Sequence, residues 1–481
     1  MKKILVVLAV LAGIVLSGCV GENDMDFTAT KRTTSAFNKD VPQLDVSAGK
    51  VYFVWEEPDV GGKDQIWTAV MNVDGTGFVA TQRTTSAFDK TYPQLQVSGS
   101  KIYYVWREPD AANDRQIWTA VMNVDGTDWI ATKRTDTTVS SKRGPYLQVV
   151  GTKIYYVWRE KTDAGEYSIW TASMDTDGSN WSANKRQVIS LDGTQGVLAW
   201  IVRQHVVGSK IYYVWVEHDG ADYEIWTAVM DIDGSNWIAT KRRTSSYDIR
   251  WVTLYVYGST IYYAWAEKDG ASLAQIWTGM MGTDGTNWTA TKRTEGDWWL
   301  YNIELAASGN TVYYACTRVN SVILQTQVWT AEMNVDGSSW KLTQRTFTDS
   351  QYRKRFIQQK IGSDIHYVWK ERDDDDYWQI WTGKLPLPPV DKEAPWKEDT
   401  IVPGVVVEVE IPRRSGNWIK LEDIMRIHTS SGKNPFTAVE IGQAEIIVSN
   451  ISKNFNSFNE ASDWYKSLEG YACRIFVSWE S

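Results

Sequence analysis

Gln116-Ile117-Trp118-Thr119-Ala120-Val121-Met122-Asn123-Val124-Asp125-Gly126-Thr127 is the stretch that decides how this chain folds. A β-branched and aromatic run ends at Asp125-Gly126, a pair that tolerates positive φ and so suits a tight hairpin. The stretch recurs. The Trp of its Ile/Val-Trp-Thr core falls at Trp67, Trp118, Trp170, Trp226, Trp277, Trp329 and Trp381. A second marker, Tyr-Val-Trp or a variant, puts Trp at Trp55, Trp106, Trp158, Trp215, Trp265 and Trp369, with Cys316 in the sixth copy. Asp-Gly pairs begin at Asp74, Asp125, Asp177, Asp233, Asp284 and Asp336. An Arg closes each unit: Arg32, Arg83, Arg134, Arg186, Arg242, Arg293 and Arg345. A period of roughly fifty residues marks a repeat architecture.

Each copy reads as four short strands; in the second they cover about 93–97, 101–108, 116–122 and 129–135. The middle strands are apolar on both faces, as in Ile102-Tyr103-Tyr104-Val105-Trp106. Such a sheet must be covered on both faces, and radial stacking of four-stranded units does that. The predicted fold is all-β: a seven-bladed β-propeller of four-stranded blades, followed by a small α+β C-terminal domain. The seventh copy stops at Pro386-Leu387-Pro388-Pro389 without a fourth strand, and an orphan strand, Phe27 to Thr33, precedes the first copy. Pairing the two would close the ring without leaving a long free edge. An open solenoid, the runner-up, would need distinct capping repeats, and none is visible.

The quoted stretch resembles the Asp-Gly-centred repeat of TolB-type propellers, across the hairpin of six copies. It is also similar to the Asp-box of sialidase-like propellers, although that motif separates Asp from Gly by one residue. The resemblance implies propeller architecture and little about activity.

The N-terminus reads as an export signal. Lys2 and Lys3 precede the apolar run Ile4 to Leu16, which is shorter than the roughly 20 residues that span a bilayer. Leu16-Ser17-Gly18-Cys19 resembles the lipobox of prokaryotic lipoproteins, which implies lipidation at Cys19 and a membrane-tethered protein facing outside the cytoplasm. The expected organisation is 1–18 signal peptide, 19–26 tether, 27–385 propeller, 386–400 linker and 401–481 small α+β domain. In the last, 405–411, 446–448 and 474–477 read as strands and 457–468 as a helix.

The chain carries a formal charge of −9 and no basic run, which argues against nucleic acid as a partner. Three Cys and four His without metal-ligand spacing give no disulfide framework, no metal site and no cofactor. Residues present in every copy are structural: the Trp pack between blades, the Asp cap turns, and the Arg guard outer edges. Function therefore belongs to residues that differ between copies. The loops joining the fourth strand of one copy to the first of the next gain aromatics and charges in the later copies. The candidate ligand-binding residues are Trp200, Arg203, Arg250, Trp251, Trp298, Trp299, Tyr301 and Arg353, with Asp248, Glu295 and Arg355 beside them. Aromatics beside Arg suit a glycan or a protein epitope. The leading expectation is a monomeric, non-catalytic binding protein at the membrane surface that takes a glycan or an envelope protein. The alternatives are a sialidase-like or other glycoside hydrolase, and a scaffold of an envelope complex. No nucleophile elbow, phosphate loop or metalloprotease helix is present, and no catalytic residue is assigned.

Overall fold

The computed structural model describes residues 27–138, 140–162, 167–189, 202–270, 273–296, 298–320, 325–348 and 353–387. Farther on it describes the strands Val405–Glu410, Trp418–Leu421, Ile424–Thr429, Ala444–Val448 and Ile475–Trp479. The chain divides into two compact units, 1–388 and 389–481. In the second, Val405–Glu410 pairs with Trp418–Leu421 and Ile475–Trp479, and Ile424–Thr429 pairs with Ala444–Val448. The predicted helix at 457–468 lies outside the described residues, as does Cys19.

In the first unit each sequence copy folds as a four-stranded antiparallel sheet. The second copy supplies Thr91–Ser98, Lys101–Pro109, Arg115–Asn123 and Ile130–Lys133. The last copy supplies three strands, and its fourth is Thr30–Lys31, with Thr30 opposite Thr382 and Lys31 opposite Trp381. The first strands of successive sheets touch one another, and Lys354–Ile361 of the last touches Asp40–Ser47 of the first. The sheets thus surround an axis in a β-propeller architecture.

The core lies between neighbouring sheets. Tyr52, Val54 and Ile66 of the first copy pack against Ile102, Tyr104, Trp106, Ala120 and Met122 of the second. Trp106 is wholly buried and lies between the rings of Trp118 and Trp129, at 6.2 and 6.0 Å. The same three-ring stack recurs around Trp158, Trp215 and Trp265.

Three further devices repeat. The Asp of each turn caps it: Asp125 Oδ1 accepts from Thr127 N and Oγ1 at 3.0 and 2.7 Å. Each core Trp donates its indole N–H to the Glu two residues on, as Trp369 does to Glu371 at 2.8 Å. In four copies that Glu faces a fully buried Lys: Lys39–Glu57, Lys90–Glu108, Lys142–Glu160 and Lys354–Glu371. The repeated Arg corrects an expectation. In the six cases where an Asp-Gly turn follows, it does not guard an outer edge but ties one sheet to the next, donating to the glycine carbonyl of that turn. Arg32 reaches Gly75 at 2.9 Å, Arg83 reaches Gly126 at 3.1 Å and Arg186 reaches Gly234 at 3.0 Å. A planar fork with several N–H donors suits that bridge.

One groove between sheets is underfilled. Three residues before each core Trp or Cys stands Tyr52, Tyr103, Tyr155, Tyr212, Tyr262 or Tyr313, and in the last copy His366. Two of these tyrosines, Tyr212 and Tyr262, hydrogen-bond the backbone of the next sheet, at Thr283 and Val335. His366 instead lines a cavity of about 270 Å³ between the last sheet and the first, and its Nε2 is buried without a hydrogen-bond partner among the described residues. His366→Tyr should therefore stabilise the propeller by about 0.5–2 kcal/mol, the range for cavity-filling changes. A denaturant melt checks this; an unchanged or lowered midpoint would show that the cavity cannot take the larger ring.

Candidate functional site

Antiparallel sheets put the sheet-to-sheet loops and the second-to-third-strand turns at one end of the ring. The Asp-Gly turns lie at the other. At the loop end, six of the inner strands carry a bulge, with register shifts between Asp40 and Gln43, Thr91 and Gln94, Arg143 and Tyr146, Arg250 and Thr253, Leu300 and Ile303, and Arg355 and Gln358. Val41, Tyr92 and Trp251 hold positive φ there, at 45°, 59° and 56°. Bulky side chains rarely adopt that conformation, and bulges of this kind re-aim side chains at barrel rims and active sites.

Three repeat positions meet beside each bulge: one before it on the inner strand, one following the core Trp, and one opening the third strand. In the second copy these are Thr91, Arg107 and Arg115, and in the third Arg143, Arg159 and Tyr167. In the last they are Arg355, Lys370 and Trp378, and in the first Asp40, Glu56 and Asp64. The framework is constant and the chemistry at these positions is not.

The second and third copies build an arginine pocket. Arg143 stands directly opposite Arg159 in the strand pairing, a like-charge arrangement that destabilises a bare sheet. Arg115 lies beside Ser141, the one point where the two sheets pair, and donates to its hydroxyl at 3.1 Å. Arg107 donates to Thr91 Oγ1 at 2.6 Å and lies 4.6 Å over the Tyr92 ring. A cavity of about 140 Å³ is lined by Tyr92, Arg107, Arg115, Arg143 and Gly144. Burial, together with neighbouring guanidinium groups, pushes Arg107 and Arg159 down to about 10. The Nε atoms of Arg143 and Arg159 are buried without a hydrogen-bond partner, and no carboxylate pairs with any of the four arginines among the described residues. Buried donors left unpaired need an explanation. An anion here would satisfy both Nε–H groups and relieve the repulsion, through the strongest class of hydrogen bond.

The first copy puts carboxyls at the same three positions. Glu56 is buried and receives Tyr92 N–H at 3.3 Å. Burial, then Asp40 and Asp64, holds its carboxyl well above the usual carboxylate range. Burial and the nearby Asp89 and Asp40 push Asp64 up to about 6. Tyr92 thus separates an acidic cluster from the arginine pocket. On the far side of the acids, Lys370 pairs with Asp40 at 2.6 Å. Arg355, Lys370 and Arg372 all lie against the Trp378 ring, at 5.9, 4.5 and 5.2 Å.

The axis itself is stitched. Asp45, Gln96, Gln148 and His205 each accept the backbone N–H of the next inner strand, from Val97, Val149, Val206 and Val256, at 2.7 to 2.8 Å. Lys360 pairs with Asp45 at 3.2 Å. Arg203 reaches past the fifth copy to Glu304 of the sixth at 3.3 Å, and Gln358 holds the same carboxylate at 2.9 Å.

The residues singled out from sequence are therefore scattered. Arg203 turns to the axis and braces it. Arg250 is exposed but held by Asp248 at 2.6 Å. Trp251 is half-buried against the core between the fifth and sixth sheets. Trp299 is exposed. Arg353 is exposed, and its carbonyl accepts from Arg372 N at 3.0 Å. Trp298 and Tyr301 are described by backbone alone, on the strand Trp298–Ser308, and Trp200 lies outside the described residues. Sequence reading missed Arg107, Arg115, Arg143 and Arg159. Their signal was present: the residue after the core Trp or Cys runs Glu, Arg, Arg, Val, Ala, Thr, Lys through the copies.

No protein-family model matches this chain, and no curated protein does. Among solved structures it is similar to the polysaccharide lyase Uly1, with a TM-score of 0.48 at 10% identity over 72% of this chain and 90% of that one. The NanB sialidase of Streptococcus pneumoniae gives 0.41 at 9% over 74% and 70%. The β-propeller domain of the Trilobed protease of Pyrococcus furiosus gives 0.44 at 10% over 75% and 100%. Such low identities carry no residue role across. The expectation of a non-catalytic binding protein is corrected at this point: the neighbours include a polysaccharide lyase and sialidases, whose activities are their own, and the sialidase-like or other glycoside hydrolase alternative is taken up below as a proposal.

Proposed function

We propose that this chain is a glycan-active, seven-bladed propeller enzyme that cleaves a glycan containing acidic sugars, gripping the anionic group in the Arg107–Arg115–Arg143–Arg159 pocket. The observation that carries the reading is the placement of Arg143 directly opposite Arg159, with Arg143 lining one small cavity together with Arg107 and Arg115. Like charges directly opposite destabilise a sheet, and a bound anion would relieve that. A sugar carboxylate or sulfate fits the charge and can accept bidentate hydrogen bonds. Asp40, Glu56 and Asp64 supply the proton chemistry beside it. A carboxyl near 6, as at Asp64, is suited to give a proton close to neutral pH, and glycoside cleavage commonly uses paired carboxyls. No cofactor enters this reading. The lipobox-like Leu16-Ser17-Gly18-Cys19 supports tethering through a lipidated Cys19 outside the cytoplasm, and the propeller would extend over 27–385 with a separate α+β module at 401–481.

The test is a cleavage screen of uronic-acid, sialic-acid, sulfated and neutral glycans. Cleavage is expected only with acidic substrates. Arg143→Ala should lower kcat/KM on them about 10- to 100-fold, the equivalent of one charge-assisted hydrogen bond of roughly 1.5–3 kcal/mol. Cleavage of neutral glycans alone, or an Arg143→Ala enzyme with full activity, would refute the reading.

A further inference from the structure

Every exposed aromatic among the described large hydrophobic residues lies at one end of the ring. Phe37, Phe88, Tyr247 and Phe347 sit in the loops that join one sheet to the next, and Trp299 stands at the exit of another such loop. Phe347 is 76% exposed and Tyr247 47%. The remaining exposed large residues are all valine or isoleucine: three on outer strands, one, Val207, at the end of a first strand and one, Val60, at the loop end. Isolated apolar residues on a surface need no explanation. Five aromatic rings confined to a single rim are a different case, because aromatic side chains are enriched where proteins bind partners. These rings have an apolar face and little rotamer freedom, so they offer contact area at low entropic cost. Between them lie the cations already described: Arg107, Arg115 and Arg143 on one side, and Arg250, Arg353 and Arg355 on the other.

Two features of the rim fix its occupant. It is spread around the mouth, from the first two copies to the fifth, sixth and seventh, which is wider than a single sugar. It also interleaves flat apolar rings with positive charge. A polymer whose repeating units each present a C–H face and an anionic group matches both features. We infer that the rim binds an extended acidic polysaccharide, laying successive sugar rings on Phe37, Phe88, Tyr247, Trp299 and Phe347 while one anionic group enters the arginine pocket. This rests on the proposed glycan-active reading and deepens it from an acidic sugar to a polymer that crosses the mouth.

Phe37 and Phe88 escaped the sequence reading for a definite reason. Their loops, Thr33-Thr34-Ser35-Ala36-Phe37 and Thr84-Thr85-Ser86-Ala87-Phe88, are identical over these five residues, so the pair looks like part of the repeat. Inside each loop Ser35 and Ser86 do serve the framework, bonding Glu57 and Glu108. The aromatic beside them does not; it faces water.

The test uses Phe88→Ala, Trp299→Ala, Phe347→Ala and the triple variant in the otherwise full chain. All three positions are exposed, so folding should be intact, and a melt confirms it. Binding is read by affinity electrophoresis through gels holding an acidic polysaccharide, a neutral polysaccharide, or none. Cleavage of polymer is compared with cleavage of a disaccharide of the same sugars. Each single variant should weaken polymer binding about three- to tenfold and the triple about 100-fold. The KM for polymer should rise in parallel, while kinetics on the disaccharide stay unchanged. Equal losses on polymer and disaccharide would overturn the inference, because the aromatics would then act at the reacting sugar. Unchanged retardation of the triple variant would also overturn it, as would binding of the rim to a protein partner but to no polysaccharide. If retardation behaves as expected and no glycan is cleaved, the rim stands and the catalytic reading falls.

Discussion

A chain that begins at Asp40 should lose cooperative folding of the propeller, or melt far below the intact chain. The removed segment does more than its two paired residues suggest. Arg32 N–H donates to the Ile380 carbonyl at 2.8 Å, Thr33 Oγ1 exchanges hydrogen bonds with Gln379 and Ile380, and Lys31 pairs with Asp373 at 2.9 Å. Arg32 also spans the seam, from Thr382 at 2.7 Å to the Gly75 carbonyl at 2.9 Å. Phe27 stacks on the wholly buried Trp369 at 6.0 Å and meets Tyr367 edge-on at 5.7 Å. Losing an aromatic from a core contact costs about 3–5 kcal/mol when it is fully buried. Phe27 is half-buried and counts for less, but each lost hydrogen bond adds about 1 kcal/mol. The sum rivals the 5–15 kcal/mol that holds an ordinary domain together. The deletion also leaves Trp378–Pro386 as a bare edge, an invitation to pair with another chain. Denaturant unfolding and light scattering read both consequences. A shortened chain that melts like the full one and stays monodisperse would show that the seam is held by the inner strands alone.

How much of this was legible in the sequence differs from feature to feature. The four-stranded repeat was readable because continuous β-branched and aromatic runs, Asp-Gly turns and a fixed spacing all agree, and each acts locally. Which of two tryptophans forms the core was not. Trp118 of the Ile-Trp-Thr marker is half-buried, whereas Trp106 of the Tyr-Val-Trp marker is wholly buried; on adjacent strands the two look alike until a neighbouring sheet covers one. The repeated Arg was misread for the same reason, since its partner lies in the next sheet, more than forty residues on. The functional positions were hidden differently. Divergent loops point to residues such as Trp200 and Arg353, whereas the proposed arginine pocket is built from strand residues beside a bulge. Aligning the copies column by column would have exposed it: one column carries Glu56, Arg107, Arg159 and Lys370 on an otherwise constant strand.

The sixth copy shows that the repeat's columns are physically linked, and it motivates the second large expected effect. Where other copies have Trp, Glu and often Lys, it has Cys316, Arg318 and Leu300, and in the strand pairing Leu300 stands opposite Arg318. All three members changed together. A buried carboxylate that loses its cation is stranded unless another donor replaces it, as the Gln187 amide does for Glu217 in the fourth copy at 2.9 Å. In the last copy the set is intact: Lys354 meets Glu371 at 3.0 Å, and neither side chain is more than 3% exposed. Burial holds the Glu371 carboxyl above its usual range and Lys354 below its own, which means that the fold pays to keep the pair charged. Lys354→Ala should therefore destabilise the propeller by about 3–5 kcal/mol, since it uncovers Glu371 without removing it. The raised carboxyl gives the loss a sign. Protonation favours the folded state, so the variant should lose stability as pH rises from the ordinary carboxylate range through the raised folded value, and recover it in acid. Removing both charges, with Lys354→Leu and Glu371→Gln and with Trp369 kept, should cost much less than the single change, because no buried charge is left without its partner. Chemical melts of the single and double variants at pH 5 and pH 8 decide it. A double variant no better than the single would mean that the loss comes from the packing of Lys354 and not from its charge.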